Sequence, residues 1–240
     1  MKFILMCTFL CSLLRAQVSV PFKGCASDGQ MGPEEAPKGK SVSRPITAKA
    51  ASQLAYYKSE NGDAGVLGPR GWYCFGTYGS GGDALYISPE PIDTANLFSD
   101  RGGFTGPAIE ITQRIGDTSG RFDVAEIIAR VFPAFKEFAT HVMAEFDPPV
   151  NRYTFGPYPT DALTYKSKTV VEYKTPPDTD GMGTHSWLKK NASPIEGVAI
   201  LVGKTPDALL LSVRLPPNLT RLTSTIIRQV ERDAARAPNN

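Results

Sequence analysis

The sequence predicts an α+β fold, with an antiparallel sheet built from hairpins and helices packed on one face. Three observations predict it. Strand-like runs come in pairs around turn clusters, as in "WYCFGTYGSGGDALYIS" and "EGVAILVGKTPDALLLSV". Helical periodicity follows groups of strands and does not alternate with single ones. Glycines (22) and prolines (20) are numerous but scattered, which implies many turns and no low-complexity tract.

The chain opens "MKFILMCTFLCSLLRA". Lys2 supplies a positive start, and Phe3 to Leu14 is an apolar run of secretory length. A bilayer span needs roughly 20 apolar residues, so this run is too short to be one. Ala16 provides the small residue a cleavage site requires. Residues 1–16 are therefore predicted to be a signal peptide, 17–45 an extended lead-in, and 46–240 a single α+β domain. No later apolar run exceeds strand length, so no transmembrane segment is expected after cleavage. The predicted location is the periplasm or the exterior.

Charge and cysteines follow from cleavage. The chain has 26 basic and 24 acidic residues. Loss of Lys2 and Arg15 leaves the mature chain formally neutral. It has no polybasic block of the kind that neutralises phosphates, so nucleic acid is not an expected partner. Of the 4 cysteines, Cys7 and Cys11 leave with the signal. Cys25 and Cys74 remain, and an even number in an exported protein predicts a disulfide.

The elements read in order. "ITAKAASQLAYYKSENG" places Ile46, Ala50, Leu54 and Tyr57 at helical spacing before an Asn61-Gly62 stop, which predicts a helix at 46–59. Residues 72–78 and 84–88 read as two strands around "GSGGD". "PAIEITQRIG" alternates and predicts a third strand. "RFDVAEIIARVFPAFKEFATHVMAEF" carries one apolar stripe, from Val124 to Val142. Asp123 with Glu126 resembles a capping pair, Pro133 should kink or divide the helix, and "DPP" ends it. "LTYKSKTVVEYKT" predicts one strand. The run from Ser193 to Pro217 predicts a hairpin. Asn218 is expected to cap a final helix that buries Leu219, Leu222, Ile226, Ile227 and Val230.

The chemistry tests are mostly negative. Cys74 would need a histidine partner and is consumed by a disulfide. Ser80 in "TYGSGGD" lacks the earlier glycine of a nucleophile elbow, and a strand follows it. "GWYCFGT" lacks the lysine of a phosphate loop. Two histidines and two cysteines make no zinc ligand set. "DTDGMG" departs from a calcium loop at Met182 and Lys189. No metal and no cofactor are expected. His141 reads as a core-edge residue of the long helix. His185 and Trp187 lie in the long irregular run from Thr175 to Pro194, and loops of that length are usually functional or disordered. There Trp187 either packs and pins the loop or contributes to a ligand site.

The stretch "LAYYKSENGDAGVLGPRGWYCFGTYGSGGDALYISP", with "GMGT" and "LSVRLPP" before a last helix, resembles small exported bacterial proteins of no assigned activity. The resemblance implies bacterial export and carries over no catalytic residue. The expected function is non-catalytic binding of a small molecule or an envelope protein. Arg70, Trp72, Tyr73, Tyr78, His185 and Trp187 are the candidate binding residues, since aromatics give contact area at low entropic cost. One alternative is a hydrolase acting on envelope or extracellular material, with His185 as base. Another is a structural accessory protein of the envelope, which a large exposed apolar patch on the sheet would favour.

Overall fold

The structure is a computed structural model that describes residues 17–97, 99, 102–145 and 153–236. The predicted signal peptide lies outside the described residues, as does the "DPP" expected to end the long helix. The class is α+β. Two sheets form it. The larger has eight strands in the order β2-β6-β7-β8-β12-β11-β10-β9, and the smaller has four in the order β3-β1-β4-β5.

The larger sheet comprises β2 (Ser27–Gly29), β6 (Tyr73–Gly79), β7 (Gly82–Ser88), β8 (Ala108–Arg114), β9 (Ala162–Tyr165), β10 (Val170–Thr175), β11 (Ile195–Val202) and β12 (Asp207–Arg214). Every neighbour pair in it is antiparallel except β2–β6. The smaller sheet comprises β1 (Val18–Cys25), β3 (Ser41–Arg44), β4 (Leu54–Ser59) and β5 (Val66–Pro69). Its β1–β4 pair is parallel.

Alternation along the strands makes two cores. On β12, Leu209, Leu211 and Val213 face one way, while Ala208 and Leu210 face the other. The first face packs against the smaller sheet and α4 (Thr223–Ala234), with Tyr57, Leu67, Ile226 and Val230 buried between. The second packs against α2 (Arg121–Val131) and α3 (Lys136–Ala144). The helices thus divide between both faces and do not share one. Hydrophobic burial requires this, because the inner strands β8, β12 and β11 carry apolar side chains on both sides.

Several local expectations are corrected. The 46–59 helix is a single turn, α1 (Ala48–Ala51), followed by β4. Leu54, Ala55, Tyr56 and Tyr57 are all buried, so this continuous apolar run suits an inner strand better than a one-faced helix. The 17–45 stretch is extended but is no lead-in, since it supplies β1, β2 and β3 and β1 is an inner strand. "LTYKSKTVVEYKT" is two strands, β9 and β10, joined by a tight turn. Pro133 does divide the long helix, with a 3-10 turn at Pro133–Phe135 between its halves. Neither predicted cap forms. Asp123 instead pairs with Arg114 at 2.9 Å, and a 3-10 turn at Thr220–Leu222 leads into α4.

Two devices join the layers. Cys25 and Cys74 are bonded, which ties the end of β1 to β6 across 49 positions of sequence. Gln229, buried on α4, behaves like a strand toward the β5 edge. Its Oε1 accepts the Leu67 N–H at 2.8 Å, and its Nε2 donates to the Gly65 carbonyl at 3.1 Å. Those groups would otherwise be unpaired at a buried edge.

Replacing both cysteines by alanine should lower the urea unfolding free energy by about 2–4 kcal/mol, the range expected for a loop of this length. An unchanged urea midpoint would show that the bond carries no stability. Gln229→Leu should cost about 2 kcal/mol more than an exposed Gln→Leu change, because it strands two buried backbone groups.

Candidate functional site

The structure separates the six candidate residues into two groups. Arg70, Trp72 and Tyr73 lie at one end of β6 and serve the fold. The Arg70 guanidinium donates to the carbonyls of Leu54 (3.0 Å) and Ala51 (2.6 Å). Trp72 is in the core between the sheets, while Arg70 and Tyr73 are exposed, Tyr73 at 50%. Of the other three, Tyr78 lies near the far end of β6 on the face that Cys74 and Gly76 turn toward the smaller sheet, whereas His185 and Trp187 lie on the α2 face of the larger sheet.

Tyr78 donates its hydroxyl to the Gly32 carbonyl at 2.6 Å and borders a shallow hollow whose wall includes Arg114 and Asp123. The same Arg114–Asp123 pair forms the wall of a neighbouring cleft of about 370 Å³. His185, Ser186, Trp187 and Lys189 line that cleft opposite α2. The hairpin and the long loop therefore flank adjoining hollows with one ion pair between them.

The loop is ordered by buried charge. Glu110 on β8 is 3% exposed, and its Oε2 accepts the Trp187 N–H at 2.7 Å. Arg214, 2% exposed, donates to the carbonyls of Phe104, Gly106 and Lys189. Asp161 accepts the Met182 N–H at 2.7 Å and the Thr175 hydroxyl at 2.8 Å. The Trp187 ring packs with Tyr86, Ala84 and Leu97, while Lys189 Nζ sits 5.2 Å from its centroid. Trp187 thus packs on the domain and helps to pin the loop.

Glu110 is the cleft residue that sequence reasoning missed. In "PAIEITQ" it alternates with Ile109 and Ile111, a pattern that reads as a solvent-facing position. Helix α2 and the loop cover that face. Burial pushes the Glu110 carboxyl up to about 7, against the opposing pull of the Trp187 N–H and Arg114. Burial likewise pushes Asp83 up to about 6, against the Asp63 N–H and with the neighbouring Asp63 charge adding to the rise.

A second and larger cavity, about 740 Å³, lies between the layers on the opposite face. Ile111, Leu209 and Val230 line its apolar part, from β8, β12 and α4. The β11–β12 turn contributes Lys204, β12 contributes its first residue, Asp207, the segment after β8 contributes Asp117, and the β4–β5 loop contributes Asp63. Asp233 also lines it but is bound to Arg44 at 3.4 Å. The carboxylates of Asp63, Asp117 and Asp207 therefore outnumber the one lysine. None of these positions was among the six candidate binding residues, because they are brought together only by packing of the two sheets.

Among the described residues no group of three His, Cys, Asp or Glu side chains is placed to hold a metal ion. Compared with known proteins, the chain matches no family model, no curated sequence and no solved structure.

The two raised carboxyls set a pH dependence. Each binds its proton more tightly folded than unfolded, so the folded state carries more protons between about pH 4 and 7. Stability should rise as pH falls through that window and decline as pH rises through 6 to 7. Glu110→Gln should remove up to about 3 kcal/mol of this slope. Tm measured from pH 5 to pH 8 reads it, and a wild-type slope of opposite sign, or one unchanged in the variant, would contradict it.

Proposed function

We propose that this chain is an exported, disulfide-bonded binding domain whose cavity between the sheets takes a small molecule with a cationic head and an apolar body. The observation that carries the reading is the cavity itself, apolar within and acidic at its rim. Its volume of about 740 Å³ falls in the range of small-molecule sites. An aliphatic body would bury against Ile111, Leu209 and Val230 at about 0.8 kcal/mol per methylene. An ammonium head would meet Asp63, Asp117 and Asp207. Ala234, the last residue of α4, also lines the cavity and brings the negative end of a helix toward the same place.

Export is supported by the leader-like first 16 residues and by the disulfide, a bond that persists in oxidising compartments. No helix among the described residues is long and apolar enough to cross a membrane. A structural accessory role has less support. Among the described residues the large apolar side chains that stand exposed are Met31, Tyr73 and Tyr165, and Tyr73 and Tyr165 lie on β6 and β9, near opposite ends of the larger sheet.

Octylammonium is a suitable probe, with octanoate as its charge-reversed control. By calorimetry octylammonium should bind with a Kd of roughly 10–100 μM, after the costs of association are set against chain burial. Affinity should weaken several-fold between about 50 and about 300 mM salt, because the rim is solvent-exposed. Asp117→Lys should weaken it further. If octanoate binds as tightly as octylammonium, or neither binds, the reading is wrong.

A further inference from the structure

The cleft on the α2 face holds a different chemistry from the cavity between the sheets. Its floor is Glu110, Thr112 and Leu210. The Glu110 carboxyl is held in place by the Trp187 N–H on one oxygen. Along the sheet its register neighbours are Tyr86 on β7 and Ser212 on β12. Across the cleft His185 places its Nδ1 3.9 Å from Glu126 Oε1. Arg114, paired with Asp123, and Lys189 complete the charged lining. A buried carboxyl, a histidine backed by a carboxylate and room for a ligand thus share one hollow.

We propose that this cleft is an acid–base site that hydrolyses an O-glycoside, with Glu110 as proton donor and His185, oriented by Glu126, as base. The choice of bond follows from what the cleft can stabilise. Ester or amide hydrolysis needs donors aimed at an oxyanion, most often backbone N–H groups. The N–H groups of Trp187, Leu188 and Lys189 are already given to Glu110, to the Ser186 hydroxyl and to the Phe104 carbonyl. Glycoside cleavage instead builds positive charge on the sugar and asks for a protonated acid beside a poor leaving group. The carboxylates of α2, Glu126 and Asp123, suit that charge. Burial that holds the Glu110 carboxyl up at about 7 keeps it a donor near neutrality.

The step balances. Glu110 gives its proton to the glycosidic oxygen as the bond from that oxygen to the anomeric carbon breaks. A water adds to the anomeric carbon as His185 takes the water's proton. The alcohol leaves with the proton from Glu110, the sugar keeps the new hydroxyl, and the proton on His185 returns to Glu110 through solvent. This inference is independent of the cavity between the sheets.

The test uses methyl and dinitrophenyl glycosides of glucose, galactose, mannose and N-acetylglucosamine with the full-length protein. Wild type should release sugar from at least one ring type, with kcat falling as pH rises through about 7, where the acid loses its proton. Glu110→Gln can still accept the Trp187 N–H through its amide oxygen, so it should fold with near-native circular dichroism. It should slow the methyl glycoside by roughly a thousandfold but the dinitrophenyl one less than about tenfold, since the better leaving group needs no proton. It should also lose the limb near pH 7. His185→Ala should slow both substrates. The proposal is overturned if wild type releases sugar from none of the glycosides, or if Glu110→Gln slows both leaving groups alike.

Discussion

Cys25 ends an inner strand of the smaller sheet, and two residues later Ser27 begins the edge strand of the larger. The backbone crosses between layers in that step, and three bonds hold the crossing to β6. The disulfide joins Cys25 to Cys74, the Gly76 N–H donates to the Ala26 carbonyl at 2.9 Å, and β2 pairs in parallel with Gly76 to Tyr78. The chain crosses a second time from β5 to β6 through residues 70–72, so two short backbone crossings join the layers besides their side chains. The disulfide fastens the first of them beside Ser59, the register partner of Cys25 on β4.

The interior is organised by polar groups placed where burial makes them decisive. Gln229 closes the β5 edge from a helix. Arg214 and Glu110 reach up from neighbouring strands and fasten the same loop by its carbonyls and an N–H. Tyr173 lies across Gly197 to reach Ser212 at 2.7 Å, and a side chain at Gly197 would collide with the Leu211 carbonyl. A buried polar group that loses its partner costs more than the bond contributes, so these contacts fix geometry more than they add stability. The loop that looked structureless in sequence is ordered for this reason.

Much of the larger sheet was legible in the sequence. The β6–β7 and β11–β12 hairpins, the strand β8 and the helix break at Pro133 all follow from local pattern. The disulfide follows from the cysteine count once the leader is set aside. What was not legible is long-range. β4 carries helical spacing, but its place between β1 and β5 is decided by burial on both faces. β1 looked like a loose approach because Pro21, Lys23 and Gly24 interrupt its pattern. The site was harder still. His185 and Trp187 fall in the cleft on the α2 face and Tyr78 does not, while Glu110 hides behind an alternation that resembles a solvated face. The acidic rim of Asp63, Asp117 and Asp207 comes from three separate segments that only the stacked layers bring together.

The staple at Cys25 fastens the smaller sheet to the larger beside the loop that borders the cavity between them. Hydrogen exchange on the reduced protein, against the oxidised one, tests it most directly. Amides of β4 and β5 should lose protection by about tenfold or more, while those of β8 and β12 keep theirs, because the cooperative unit attached through the staple loosens first. Equal loss of protection in both sheets, or none in either, would contradict it.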